Sequence, residues 1–491
     1  MNRDITPDSL SSSTAALLAS GHRLALVAAH DDGPTLRVVY LFTRPGHNHV
    51  ELTVRVPADD PVIPSLAGIS FPAGRFEREM HDLFGLVPRG HPLPRRLVRH
   101  RHWPAGWYPL RRDATRTPDF DDVEPVPFPF VTVDGPGVYE IPVGPVHAGL
   151  IEPGHFRFSV VGETIVKLKA RLWFTHRGVE KLFEGQPAVA AVPLAERISG
   201  DSAAGHALAY TLAVEEALGV TMPGSAQRLR ALVVELERLY NHITDLGALA
   251  NDVGYGIANA HAARLRERLL RLNETVTGHR LLRDGIRPGA VTLRALPDVA
   301  VLADVAAEAA ELAGFTLGHS VVRDRFAGTA VLDIATALDL GCLGYVARAS
   351  GISIDARVDH PFVELPVAPV VHRGGDVLAR YSVRRDEIAA SAELIKAIVA
   401  EHRGPLETVV EDGPGITSGS GASGVGVVEG WRGTITHRVE IAADGRLSRV
   451  KVVDPSWFNW PALPVVMTET IVPDFPLVNK SFNLSYAGND L

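Results

Sequence analysis

The stretch AQRLRALVVELERLYNHITDLGALA, residues 226–250, constrains the fold of this chain more than any other. Leu229, Leu232, Val233, Leu236, Leu239, Tyr240, Ile243 and Leu246 recur at steps of three and four, so a helix gathers them into one apolar stripe. A strand would scatter them over both faces. The helical pattern continues from about 203 to 404, with further candidate helices over about 258–280, 296–317 and 384–403. It predicts a mainly α-helical bundle. Near the end, TITHRVEI and RLSRVKVV flank Ala442-Ala443-Asp444-Gly445 and read as a β-hairpin turning at Asp444-Gly445.

The start is different in kind. HRLALVAAHD, TLRVVYLFTR and VELTVRV, within residues 22–56, are strand-like runs, the last alternating apolar and polar. After Arg111 the prolines of DATRTPDFDDVEPVPFPFVTVDGPGVYEIP remove donors and stiffen the backbone. The expected organisation is an α+β domain over 1–113, a Pro-rich linker over 114–140, and a mainly α-helical bundle domain with small antiparallel β-hairpins over 141–491. No internal repeat is visible.

Composition then narrows the chemistry. The single cysteine, Cys342, cannot form an intramolecular disulfide, and one thiol cannot build a cysteine-cage zinc or iron–sulfur site. A net charge of -8 argues against a general nucleic-acid binder. No apolar run reaches the ~18 residues of a spanning helix, and MNRDITPDSL lacks a signal pattern. The chain reads as cytosolic or as a peripheral subunit of a membrane complex.

Four local features compete for function. Gly419, Gly421 and Gly424 have the spacing of a dinucleotide fingerprint, but no strand is expected before them and no helix after, so a loop is the better reading. His47, His49 and Glu51 would share one strand face as metal ligands, or simply form a polar strand end. Arg95, Arg96, Arg99, Arg101, Arg111 and Arg112, with Trp103, Trp107 and Tyr108, form a basic aromatic arm suited to a protein interface rather than to nucleic acid. The densest polar cluster runs from His147, His155 and Arg157 through His176, Arg177, Glu180, Arg197, Ser199 and Ser202 to His206. Among apolar neighbours, such groups form either a functional site or a salt-bridge network.

Two families are resembled. FEREMHDLFGLVPRGHPLPRRLV, through Glu77, Arg78, Glu79, Asp82, Phe84, Gly85, Gly90, His91, Pro92, Arg95 and Arg96, resembles the 30-kilodalton subunit of respiratory complex I. GPVHAGLIEPGHFRF, HRGVEKLFEG, ERISGDSAAGHALAYTLAVEEALG, ELERLYNHITDLG and the terminal IVPDFPLVNKSFNLSYAGNDL resemble the large subunit of membrane-bound nickel–iron hydrogenases and its relative, the complex I 49-kilodalton subunit. The fused order is that of formate hydrogenlyase and hydrogenase-4-type large subunits.

The resemblance implies two Cys-x-x-Cys pairs holding nickel and iron, and here those positions are Ser199, Ser202, Ser485 and Gly488. Hydroxyls are hard ligands and cannot replace four soft thiolates. The expectation is therefore no nickel–iron centre and no cofactor in this chain, with a quinone as a possible acceptor and an iron–sulfur cluster on a small partner subunit. Antiporter-like membrane subunits are the other implied partners, on the cytoplasmic side of the membrane, and no nucleic acid is expected. The resemblance assigns His147 or His155 to the loop that approaches a quinone, Asp252 to the acid pairing with that histidine, and Glu180 to proton transfer. Gly200, three residues after the motif Arg197, stands where complex I has a tyrosine. Two further readings stay open: a structural adaptor that clamps partners through the arm, and a relic hydrogenase with an oxygen-ligated metal.

Overall fold

A computed structural model describes residues 2–114, 118, 120, 128–148, 151–410 and 421–491. The first region is α+β. Strands β1 (Asn2–Ile5), β2 (Arg23–Asp31), β3 (Thr35–Thr43) and β4 (Val50–Pro57) form one sheet in the order β1-β4-β3-β2, with β1 parallel to β4 and the rest antiparallel. The three runs read from the sequence are β2, β3 and β4. Helix α1 (Leu10–Ala19) and helix α2 (Phe71–Phe84) accompany the sheet, α2 packing on β2. Strands β5 (Val62–Pro64) and β6 (Val87–Arg89) pair in parallel on either side of α2 in sequence.

Helix α2 carries FPAGRFEREMHDLF and starts at Ser70, whose side chain accepts from the Ala73 N–H. Its charged residues Glu77, Glu79 and Asp82 are all buried. Such burial requires partners. Ser65 and the Leu66 N–H donate to Glu77, and Lys451 donates to both oxygens of Glu79 at 2.8 Å. The backbone N–H groups of Leu97, Val98 and Arg99 converge on one oxygen of Asp82.

The expected linker ends in a strand, since β7 (Val138–Val143) pairs antiparallel with β8 (His155–Val161), which pairs with β9 (Thr164–Arg171). Pro142 is tolerated because β7 is the edge of this sheet. Short helices α3 (Val179–Phe183) and α4 (Val192–Ala195) lead into the bundle. Its long members are α5 (Ala203–Leu218), α6 (Gly224–Asp252), α7 (Gly256–Thr277) and α8 (Val299–Gly318). A small sheet of β10 (Ile286–Arg287), β11 (Ala290–Thr292) and β12 (Glu407–Val409) closes one end. Short helices α9 (Ser320–Phe326), α10 (Ile334–Leu340), α11 (Gly344–Ala349) and α12 (Ala356–Asp359) precede α13 (Val377–Glu401).

Helix α6 buries more than the expected stripe. Arg230, Glu235, Arg238, His242 and Asp245 are also buried, on its polar side. They are matched by Glu215, Glu387 and Arg384, with Arg230–Glu215 at 2.6 Å, His242–Glu387 at 2.7 Å and Arg384–Asp245 at 3.0 Å. The helix is thus a central pillar.

The last sheet, β13 (Ala422–Gly430), β14 (Gly433–Ile441) and β15 (Leu447–Val453), contains the expected hairpin as β14 and β15. It also corrects the glycine reading. Gly419 lies outside the described residues, but Gly424 and Gly426 belong to β13, and a Cβ on either would collide with α5 backbone at Ala213 or Ala209. The glycines let a helix lie directly on a strand. The chain ends in α14 (Pro455–Asn459), α15 (Ala462–Val466), α16 (Phe475–Phe482) and α17 (Tyr486–Asp490). One continuous apolar core joins the two regions, reinforced by the buried pair Arg438–Glu51 at 2.7 Å.

Candidate functional site

Three chain segments meet where the resemblance puts the metal ligands. The turn before α5 supplies Ser199 and Ser202, the β13–β14 turn supplies Trp431 and Arg432, and the start of α17 supplies Ser485 and Gly488. All three serines are buried. The Ser199 and Ser485 hydroxyls lie 2.8 Å apart, Ser199 donates to Asp201 at 2.9 Å, and Ser485 accepts the Gly488 N–H as the cap of α17. Ser202 accepts from the Trp431 indole N–H at 3.1 Å and from Arg432 at 3.3 Å.

An ion pair binds the group together. Arg432 grips both oxygens of Asp201 at 2.6 and 2.7 Å and donates to the Asn483 carbonyl. Burial opposes ionisation of Asp201, but the Arg432 guanidinium outweighs it and holds the carboxyl below its usual range. On the other side Asp454 faces Gly488, where an added Cβ would lie 2.7 Å from the Asp454 carboxylate.

These residues do not fit a nickel–iron centre. The donors are hydroxyls already engaged with protein groups, a cation is hydrogen-bonded among them, and the fourth ligand position has no room for a side chain. Arg432, Asp201 and Asp454 were not singled out from sequence, because each gains its place only through partners far along the chain.

His206 extends the polar group inward. It is fully buried and contacts Asp454 through Nε2 at 3.0 Å and His437 through Nδ1 at 3.0 Å. The Asp454 carboxylate fixes the tautomer, so His206 donates from Nε2 and accepts from His437. Asp454 is lowered, burial being outweighed by the His206 hydrogen bond.

Glu180 sits in the first turn of α3 and is buried. It accepts from Arg449 at 2.7 Å and from the Val452 N–H at 3.1 Å, with Lys451 at 3.0 Å. Burial would raise its pKa, but the two cations prevail and bring it to about 2. Lys451 also holds Glu79, whose carboxyl is raised because burial exceeds what Lys451 returns. In this four-charge group Glu79, from α2, is therefore the more easily protonated carboxyl; the sequence reading named it only in the motif of the first domain and did not place it beside Glu180.

The other expected residues are less convergent. His147 and His155 each contact a carbonyl of their own loop, Gly154 at 2.7 Å and Gly144 at 3.2 Å, while Glu152 in that loop accepts the Ala487 N–H. The loop is thereby fastened to α17, beside Gly488. Asp252 is exposed at the end of α6, and no hydrogen bond joins it to either histidine. Burial of its carboxyl against the protein raises its pKa, partly offset by Lys480. Arg197 is exposed and donates to the Pro193 carbonyl. In the other candidate metal set, Glu51 is held by Arg438 and His47 by Arg44, so the ligands do not converge. Among the described residues no group of three or more His, Cys, Asp or Glu is placed to hold a metal ion.

The basic arm is folded onto its own chain. Arg96 donates to the His100 and Trp103 carbonyls, Arg99 to Pro104 and Trp107, and Trp103 packs 5.5 Å from Trp107.

Comparisons with known proteins give the chain its relatives. Residues 4–119 match the family described as "Respiratory-chain NADH dehydrogenase, 30 Kd subunit", residues 252–418 the "49 Kd subunit", and residues 177–251 "Nickel-dependent hydrogenase". Formate hydrogenlyase subunit 5 of Escherichia coli (strain K12) is 32% identical over 461 residues, covering 90% of this chain and 79% of that protein. Hydrogenase-4 component G of the same organism is 30% identical, covering 92% and 80%. A chain of the membrane-bound sulfane sulfur reductase, an archaeal respiratory membrane complex, superposes with a TM-score of 0.64 at 26% identity, over 72% of this chain and 99% of that one. No helix among the described residues is long and apolar enough to cross a membrane. The chain belongs to the family of formate hydrogenlyase and hydrogenase-4-type large subunits, in which complex I 30-kilodalton-like and 49-kilodalton-like parts follow one another in one polypeptide.

Proposed function

We propose that this chain is the large subunit of a membrane-associated, multi-subunit oxidoreductase that passes electrons from a small iron–sulfur partner to a quinone or another acceptor. Nickel–iron hydrogen chemistry is absent, and reduction is coupled to proton or ion movement in antiporter-like membrane subunits. The chain alone is inactive, because it carries no redox centre. The observation that carries the reading is the ligand cluster itself, where Arg432, Asp201 and three hydroxyls take the place of four thiolates.

Reduction of a quinone takes up two protons with two electrons, and protons are what the residues of this chain handle. Glu180, His206, Asp252 and a loop histidine, His147 or His155, are the candidates. Glu180 is held ionised by Arg449 and Lys451, so it takes a proton only when one of those cations moves away. The loop of His147 and His155 adjoins α17 and offers an acceptor its approach to the former metal cavity.

The test is purification of the tagged chain from gently solubilised native membranes, with mass spectrometry of co-purifying proteins and metal analysis. Recovery of an iron–sulfur subunit and antiporter-like subunits, with nickel far below one per chain, is expected. Recovery of the chain alone, or of stoichiometric nickel, sinks the reading. Within such a complex, Asp252→Ala is expected to abolish turnover and leave assembly intact.

The exposure of Asp252, which is hydrogen-bonded to neither loop histidine, favours a second reading, a structural adaptor without catalysis. An adaptor would tolerate substitution of Glu180, Asp252 and His206 but not of Arg95 or Trp103.

A further inference from the structure

Between α2 and β9 lies a cavity of about 380 Å³, lined from the first region by Arg75, Arg78 and Arg95 and from the second by Arg171 and Lys167. Among the described residues its charge is unbalanced. Arg78 donates to the carbonyls of Arg95 and Arg96, Arg95 to that of Pro129, Arg171 to those of Leu97 and Val98, and Arg75 to that of Trp457. None of the four has a carboxylate partner within salt-bridge distance among the described residues.

The nearby acids are otherwise engaged. Asp82 spends one oxygen on three backbone N–H groups, and Glu140 holds Lys169. Buried cations normally have partners, yet the Nε atoms of Arg95 and Arg171 are buried with none. Burial, and after it a neighbouring guanidinium, pulls Arg75 down to about 9 and Arg78 to about 10. An adjoining hollow of about 250 Å³ shares Arg171 and adds Arg101 and His155, so the positive lining continues toward the loop described above.

The rim has a different character. Phe71, Leu93 and Val131 line the same cavity and are 46%, 43% and 48% exposed. A free phosphate would answer the cations and leave these apolar groups in water, and a flat lipid surface cannot enter a hollow. A peptide does both. We infer that this cavity receives an acidic, partly apolar segment of a partner polypeptide, whose carboxylates meet Arg78, Arg95 and Arg171 and whose apolar side chains cover Phe71, Leu93 and Val131.

The inference needs no turnover to test, so it stands or falls separately from the proposed oxidoreductase role. The purified full chain is titrated with the synthetic peptide acetyl-Glu-Phe-Asp-Glu-Leu-amide, read by fluorescence of Trp173 and Trp460, which line the cavity. Charge-assisted hydrogen bonds set the scale: saturable binding is expected, weakened about tenfold in Arg78→Gln/Arg95→Gln. Lys167 is exposed, so Lys167→Gln tests the charge without touching the fold and is expected to weaken binding about threefold. The remote, exposed Arg403→Gln should change nothing. Unchanged binding in the cavity variants overturns the inference, as does tighter binding of inorganic pyrophosphate or of phosphatidylglycerol vesicles than of the peptide. So does binding that appears only after Asp119, Asp121, Asp122 and Glu124 are neutralised, which would mean that the chain supplies the anion itself.

Discussion

Arg432→Met is expected to lower the stability of the chain by about 1–3 kcal/mol, because the guanidinium is buried while the Asp201 side chain, 39% exposed, lets solvent screen part of the loss. The loss has identifiable sources. Asp201 would keep its charge at a half-exposed site without its cation, Ser202 would lose a donor, and the Asn483 carbonyl would lose its hydrogen bond from Arg432. Asp201→Asn should cost less, since a neutral amide still accepts from Arg432. The double variant Arg432→Met/Asp201→Leu should recover part of the loss, because it removes the carboxylate that the single variant leaves without its cation. Urea unfolding followed by tryptophan fluorescence reads the order directly. A single variant as stable as the parent would mean that solvent screens the pair completely and that it contributes nothing to holding the cluster together.

The neighbouring charge group makes a pH prediction of the same kind. The folded pKa of Glu180, about 2, lies below its ordinary value of 4.5, so its contribution to stability is fully present above pH 4.5 and is lost as the pH falls toward 2. Glu180→Gln should therefore flatten the acid limb of the stability profile between pH 4.5 and 2. The same substitution should leave its slope near neutral pH unchanged. A parent-like acid limb in the variant would assign the effect to other carboxylates.

What was legible in the sequence was whatever local pattern decides. Strand-like runs gave β2 and β3, alternation gave β4, three-and-four spacing gave α6, and Asp444-Gly445 gave the β14–β15 hairpin, since each depends on residues within a turn or two. Helix α2 went unread although Phe76, Met80, Leu83 and Phe84 recur at three- and four-residue steps, and nothing in its sequence shows that Glu77, Glu79 and Asp82 are buried as well. Their compensation is remote: Lys451 is 372 residues from Glu79. Gly424 of β13 was read as a loop residue for a related reason. A strand glycine placed to admit α5 looks, in sequence, like a glycine in a loop.

The candidate site divides in the same way. The positions of Ser199, Ser202, Ser485 and Gly488 were legible through resemblance, and the chain brings them together. What fills the space among them was not, because Arg432 and Asp201 are 231 residues apart and Asp454 acts on Gly488 across two elements. Asp252 shows the converse, a residue whose motif position is clear and whose side chain lies exposed and hydrogen-bonded to neither loop histidine.

Restoring the four thiols is expected to fail as a route to nickel, and Gly488→Cys is the step at which it fails. Ser→Cys at 199, 202 and 485 changes an oxygen for a larger sulfur at sites that already hold a side chain, so each should cost little beyond weakened hydrogen bonds. Gly488 has no such allowance, for its Cβ would sit 2.7 Å from the Asp454 carboxylate, which is itself fixed by His206 and the Ser456 N–H. The overlap forces either α17 or Asp454 to shift, and overpacking of this kind typically costs about 1–3 kcal/mol. Breaking the Asp454–His206 contact, with a charge left buried, adds to that figure. Gly488→Cys alone should accordingly lower the melting temperature more than the three serine replacements combined. The double variant Gly488→Cys/Asp454→Ala should be more stable than the two single effects summed, because the collision is relieved. Metal analysis of the four-cysteine chain, isolated from its native membranes, is expected to find nickel well below one per chain, since Arg432 still places a cation among the thiolates. Stoichiometric nickel in that variant would show that only the ligands were lost and that the cavity is still a metal site.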